Sequence, residues 1–386
     1  MKCRTGLKWK SCLPVLTLLA VVTLVPNALM AAACEEGTIS STGAVYLICM
    51  PGNWNGDLLL FAHGFVPPDE PLAVVDNTIG DKTISEIVTS LGYAFATTSY
   101  RTNGLATADG PDDLSDLVTA FEVAKGAPNH VFVVGASEGG LVAELAIEEH
   151  PERFNGALAT CGPVGDFRAQ VNYFGDVLVL FNYFFPGVLT DSSGNQATPE
   201  WIPQEIMDSW DSAYATMAAA ALASSPGRTK QLLRAANIPA APTFEASVQA
   251  VVELLWYNVF ATNDAIDKLG GLPYGNKGKW YSGSSNDLLL NLRISRYTAD
   301  PGAVAEIQTG GYQTTGRLLR PVVTMHTTAD PIVPYWHEPL YTWKTLLNGS
   351  ALEHANLPIS TYGHCNFTQN QVLAGFALLV VMAGAW

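Results

Sequence analysis

A run of apolar β-formers, His130-Val131-Phe132-Val133-Val134, passes without a break into Gly135-Ala136-Ser137-Glu138-Gly139-Gly140 and then into an amphipathic stretch from Glu138 to His150. A buried strand handed to a helix through so tight a turn leaves few folds open. Glycines on both sides let strand and helix approach more closely than side chains would allow. A strand apolar along its whole length is covered on both faces, which is the habit of parallel sheets. The neighbouring runs repeat the theme. Asp57–Ala62, Tyr93–Thr98 and Gly156–Thr160 read as further buried strands, with helical patterns over Ile79–Leu91 and Pro111–Lys125 between them. Strand and helix in alternation predict an α/β layered sheet.

The pattern changes near residue 165. From Gly165 to Arg320 the chain is rich in Ala and aromatics, and helical candidates (Phe167–Phe181, Gln204–Leu222, Phe244–Phe260) are separated by Pro-, Gly- and Asn/Ser-rich joints. Alternation returns with a buried strand at Pro321–His326, another at Pro358–Tyr362 and a final apolar helix over Gln369–Ala385. The expected organisation is a leader over 1–33, a first core segment over 34–165, a helical insertion over 166–320 and a second core segment over 321–386.

Composition narrows the function classes. Of 386 residues 48% are hydrophobic and 14% charged, with a net charge of −15, so ample core is available and disorder is excluded. No basic cluster remains beyond the N-terminus, and binding to nucleic acid or anionic lipid would need one. Lys2, Arg4, Lys8 and Lys10 precede the apolar run Leu13–Val25 and then Ala31-Ala32-Ala33, the order of an export signal. The run is short of the roughly 20 residues that span a bilayer. Cleavage near Ala33 would remove four basic and no acidic residues, leaving −19. The mature protein is expected to be secreted or periplasmic. The alternative is a lipid anchor at Cys34, because Ala31-Ala32-Ala33-Cys34 also reads as a lipobox.

Four cysteines survive cleavage: Cys34, Cys49, Cys161 and Cys365. An even number in an oxidising compartment suggests two disulfides. Cys34 and Cys49 flank the expected first strand, Gly43–Ile48, and would close a local hairpin, leaving Cys161 with Cys365. Lipidation of Cys34 would leave Cys49 over, and four buried thiols are the remaining reading.

Gly-x-Ser-x-Gly between a buried strand and a helix is a nucleophile elbow, which makes Ser137 a candidate nucleophile. A serine needs a base, and the base an orienting acid. His364 follows the last strand, in Tyr362-Gly363-His364-Cys365, and Asp330 follows the preceding one, in Asp330-Pro331-Ile332-Val333-Pro334. Asp166 is a rival acid and His63 a rival base. His63-Gly64, however, ends an early strand, where an oxyanion donor belongs. The backbone N–H groups of Phe65 and Glu138 are therefore the expected oxyanion hole. Tyr100-Arg101, after another strand, could line the site or pin a loop.

Together His63-Gly64, the Gly135–Gly140 elbow, the Asp330 loop and Gly363-His364 resemble the α/β-hydrolase superfamily over about 200 residues. The resemblance implies a mostly parallel sheet with helices on both faces and the insertion as a lid. It also implies a Ser-His-Asp mechanism through an acyl-enzyme, acting on a small-molecule or polymeric carboxylic ester. Ser-x-Gly-Gly is similar to elbows of the prolyl-oligopeptidase-like branch, here without a propeller-like N-terminal domain, so a peptidase or amidase is the enzymatic alternative. A binding protein on the same scaffold is the non-catalytic one. Secreted feruloyl esterases and tannases also place a disulfide at the catalytic histidine, joined there to a Cys beside the serine, where this chain has Ala136. Trp201, Trp210, Tyr214, Trp256, Tyr257, Phe260, Trp280 and Tyr281 could line an acyl pocket, but aromatics at helical spacing more often form core. No metal, P-loop or dinucleotide motif occurs, so no cofactor and no metal is expected. The sequons at Asn348 and Asn366 are expected to be unused.

Overall fold

A computed structural model describes residues 32–385 of the chain. The export-signal reading falls almost wholly outside these residues. Eight strands form one sheet: β1 (Ala33–Thr38), β2 (Val45–Met50), β3 (Leu58–Ala62), β4 (Ala94–Thr98), β5 (Val131–Ala136), β6 (Gly156–Thr160), β7 (Val322–Ala329) and β8 (His354–Tyr362). Their order across the sheet is β1-β2-β4-β3-β5-β6-β7-β8. The β1–β2 and β2–β4 pairs are antiparallel and the others parallel. The central strands β3, β4 and β6 are buried at every residue, as their unbroken apolar runs require.

Two layers of side chains follow. On one face Leu58, Leu60 and Val133 pack with Leu117 and Phe121 of the helix Gly110–Lys125 and with Val142 and Ala146 of the helix Glu138–Glu149. On the other, Leu59, Phe132 and Leu158 pack with Phe376 and Leu379 of the C-terminal helix Gln369–Met382. That helix is capped by Thr368 and Gln371, which satisfy one another's first-turn amides. Among the described residues no helix is long and apolar enough to cross a membrane.

Several expectations need correction. The first strand of the sheet is β1, which lies before Gly43–Ile48. Its Cys34 stands directly opposite Cys49 of β2, and the two are disulfide-bonded. The helix expected over 79–91 begins only at Ile84, behind a Thr83–Glu86 capping box, and a two-residue hairpin occupies 78–83. The helix expected over 204–222 is broken into Gln204–Asp208, a π-turn at Trp210–Tyr214 and Ala215–Ser224. The one expected over 244–260 runs on to Leu269, where Gly270 takes the left-handed conformation that ends it.

The stretch 166–320 packs its helices around a core of its own, with Val177, Phe181, Trp210, Leu222, Val251 and Leu255 among its fully or almost fully buried members. Ile332 and Val333, from the loop after β7, belong to the same cluster. Tyr274 and Tyr281 both donate to Asp176 of the helix Phe167–Phe184, which fixes the joints between helices to that element. Most of the aromatics named above are therefore core or surface. Trp210 and Phe260 are buried, whereas Trp201 and Trp280 are exposed.

Candidate active site

Ser137 sits in the turn between β5 and the helix Glu138–Glu149 with φ 57° and ψ −124°, a left-handed conformation costly for a residue with a side chain. Two glycines make the turn possible. A Cβ on Gly139 would overlap the carbonyls of Ala62 and His63, and one on Gly135 would overlap the carbonyl of Gly139. The Ser137 amide donates to Thr160 O at 3.0 Å, tying the turn to β6.

The hydroxyl of Ser137 lies 2.8 Å from His364 Nε2, and His364 Nδ1 lies 2.7 Å from Asp330 Oδ2. Asp330 is fully buried. Its Oδ1 accepts the amides of Ile332 at 2.8 Å and Val333 at 3.0 Å. Burial alone would push this carboxyl up, but the His364 and His326 imidazoles beside it hold it well below the usual carboxylate range. A carboxylate only accepts, so His364 Nδ1 carries the proton, leaving Nε2 to accept from the serine.

The strand order, with the strained serine after β5, the acid after β7 and the histidine after β8, decides the fold. The chain has the α/β-hydrolase fold. No protein-family model and no curated protein sequence matches this α/β-hydrolase chain. Among solved structures it is similar to an esterase from Aspergillus oryzae over 86% of this chain and 73% of the other, at 13% identity and a TM-score of 0.49. An esterase of Pyrococcus furiosus matches over 92% of this chain and 91% of the other, at 12% identity and a TM-score of 0.47. The acylaminoacyl peptidase of Pyrococcus horikoshii matches over 87% of this chain at 10% identity and a TM-score of 0.44, and the chain spans only 38% of its length.

The rival residues lie elsewhere in the α/β-hydrolase framework. Asp166 caps the helix Phe167–Phe184 by accepting the Ala169 amide at 3.1 Å, and Gln313 donates to the same oxygen at 2.9 Å. His63 is buried, with Nδ1 on Gly64 O at 2.6 Å and its ring 4.3 Å from that of Tyr100. Arg101 pairs with Asp113 at 2.9 Å and Asp109 at 3.5 Å, so Tyr100-Arg101 pins a loop. Cys161 and Cys365 are disulfide-bonded, which fastens the residue after His364 to the end of β6. Gly64 packs against the elbow, since a Cβ there would lie 3.2 Å from that of Ser137. Among the described residues neither the Phe65 nor the Glu138 amide donates to a protein acceptor.

A cavity opens beside Ser137. Phe65, Ile332 and Val333 of the core and Phe167, Phe174 and Tyr257 of the insertion wall it, and no basic side chain lines it. The ring of Tyr257 stacks on Phe174 with centroids 5.4 Å apart and lies 5.9 Å from that of Phe65. Burial and the neighbouring Glu253 and Asp330 charges push its hydroxyl up, so Tyr257 is a neutral donor at all physiological pH.

Glu138 also lines the cavity, and its side chain accepts from the Ala106 amide at 2.9 Å and the Thr107 hydroxyl at 3.0 Å. Burial raises its carboxyl to about 7, against those hydrogen bonds, which lower it. A carboxyl raised on folding from 4.5 costs nothing below pH 4.5, where both states are protonated, and destabilises increasingly as pH climbs to about 7. Glu138→Gln keeps the acceptor oxygen and removes that cost. Its melting temperature should exceed that of the wild type at pH 8.5 and equal it at pH 4. Equal melting temperatures at both pH values would show that the carboxyl is not desolvated.

Sequence reasoning did not find His326, whose Nε2 lies 3.5 Å from Asp330 Oδ2, the same oxygen that His364 Nδ1 approaches. Its spacing four residues before the acid, at the end of an apolar strand, was the available signal.

Proposed function

We propose that the chain is an exported serine hydrolase that cleaves carboxylic esters, with Ser137 as nucleophile, His364 as general base and acid, and Asp330 orienting the imidazole. The observation that carries this reading is the unbroken hydrogen-bonded chain from Ser137 through His364 to Asp330, at a strained elbow facing an apolar cavity. Ser137 Oγ attacks the ester carbonyl carbon as its proton passes to His364 Nε2. The imidazolium so formed is held by the Asp330 carboxylate. The carbonyl oxygen becomes an oxyanion, received by the amides of Phe65 and Glu138, the latter at a helix N-terminus where the dipole favours negative charge. Collapse expels the alcohol, protonated by His364. Water then repeats the sequence on the acyl-enzyme.

The apolar wall and the absence of a basic lining residue favour an uncharged, hydrophobic acyl group, and the 166–320 insertion acts as the lid that encloses it. Two disulfides and the leader-like pattern over 1–33 support export.

Hydrolysis of p-nitrophenyl esters from C2 to C16 tests the proposal, beside aminoacyl p-nitroanilides and labelling by a fluorophosphonate. The expected result is ester cleavage with kcat/KM rising from acetate to the chain length that fills the cavity, and a single phosphonyl adduct on the peptide containing Ser137. Cleavage of the anilides alone would make the enzyme an amidase. An inert, unlabelled protein would remove the catalytic reading and leave a binding protein.

A further inference from the structure

Beneath the candidate triad lies a second buried histidine, His326 of β7. Its Nε2 is 2.8 Å from the carbonyl oxygen of Val333 and 3.5 Å from Asp330 Oδ2, while its Nδ1 is 3.0 Å from Glu338 Oε1. A backbone carbonyl can only accept, so Nε2 carries a hydrogen. One further proton lies between Nδ1 and Glu338. An imidazole is the stronger base of the two, and the Asp330 carboxylate on the other side favours a cation. Glu338 is also equipped to remain an anion, because its Oε2 accepts from the Thr324 hydroxyl at 2.6 Å and from Asn356.

His337, next to Glu338 in the chain, supplies the contrast. Its Nδ1 receives the amides of Gly165 at 3.1 Å and Asp166 at 3.2 Å, so it bears no hydrogen and the ring is neutral, with Nε2 donating to Gln170 Oε1 at 2.9 Å. Two fully buried histidines within one small region are thus set in opposite states by their partners.

We propose that His326 is held as an imidazolium throughout the working pH range and, acting through Asp330, lowers the basicity of His364. It is a positioning residue in a chain Ser137–His364–Asp330–His326–Glu338. Its cation gives the Asp330 carboxylate a second partner, so the acid stays ionised and fixed whether or not His364 is protonated. The titratable groups facing His326 are Asp330 and Tyr335 from the loop after β7, and Glu338 and His337 from the helix His337–Leu347. His354 of β8 reaches Glu338 through Thr324. Burial lowers the pKa of His326, but the hydrogen bonds and charges of Asp330 and Glu338 outweigh it and push the ring up to about 10.

Two measurements test the proposal, which rests on the triad reading above. In wild-type protein labelled with 15N-histidine, His326 should show two ring N–H groups from pH 5 to 9. A single one would overturn the proposal. This readout needs neither activity nor a variant, so it stands apart from the fate of the triad reading. In His326→Gln, loss of a positive charge makes His364 easier to protonate, so the acid limb of the kcat/KM–pH profile should move to higher pH by about one unit. A folded variant that loses activity with its acid limb unmoved would reduce His326 to packing and sink the proposal.

Discussion

Asp330→Asn should lower kcat for ester hydrolysis about 10⁴-fold, the cost of leaving a catalytic histidine in the wrong tautomer. The direction follows from two amides. Oδ1 of Asp330 is pinned by the N–H groups of Ile332 and Val333, so an asparagine there must keep its oxygen on that side. Its NH2 then faces His364 Nδ1, and a donor meets a donor. His364 can relieve the clash only by moving its proton to Nε2, where it can no longer accept from Ser137. Asp166→Asn is the control, since asparagine caps a helix about as well as aspartate and kcat should stay within a few-fold. Ser137→Ala should cost about 10⁶-fold, the loss of the whole unit. Steady-state kinetics on one p-nitrophenyl ester, with thermal melts to verify folding, reads all three. Equal losses at Asp330 and Asp166, or none at Asp330, would refute the assignment of the acid.

That contrast also marks where the sequence stops. Asp166 and Asp330 each follow a buried strand, and nothing in their neighbours along the chain tells a helix cap from a triad acid. The difference is which of them lies beside His364, and that depends on the sheet order. Ser137 and His364 were legible because strand, turn and helix around each are local, and local patterns carry the elbow. The central strands were legible for the same reason, as continuous apolar runs. β1 was missed because Glu35 and Glu36 are exposed on a sheet edge, where acids discourage further pairing and mask the strand pattern. The break at Trp210–Tyr214 has no breaker residue to announce it. His326 was read only as the end of a strand. Its partner Glu338 lies on a helix the sequence did not suggest, and the charge on its ring exists only once those two elements meet.

The Cys161–Cys365 bridge should matter to both stability and rate, and the two effects have separate origins. It closes 204 residues of chain, including the whole insertion, β7 and β8. Restricting the unfolded ensemble over so long a loop contributes about 5 kcal/mol by the chain-entropy relation, an upper figure in practice. The Cys34–Cys49 bridge closes 15 residues between adjacent edge strands and should contribute about 3 kcal/mol. Only the first touches the site. β6 holds Ser137 through the Thr160 carbonyl, and Cys161, the next residue, holds Cys365 and with it His364. One strand end therefore anchors the proposed nucleophile and base together. A double Cys161→Ser, Cys365→Ser variant should lose about 4 kcal/mol in denaturant unfolding and, at temperatures where it is fully folded, at least tenfold in kcat, because a small misplacement of a base is costly. Cys34→Ser with Cys49→Ser should lose stability alone. Reduction of both bridges in the wild type should reproduce the kinetic loss of the first variant, with a larger loss of stability. If the folded double variant kept full kcat, the hydrogen bonds of His364 to Asp330 and Ser137 would suffice to place it, and the bridge would serve stability only.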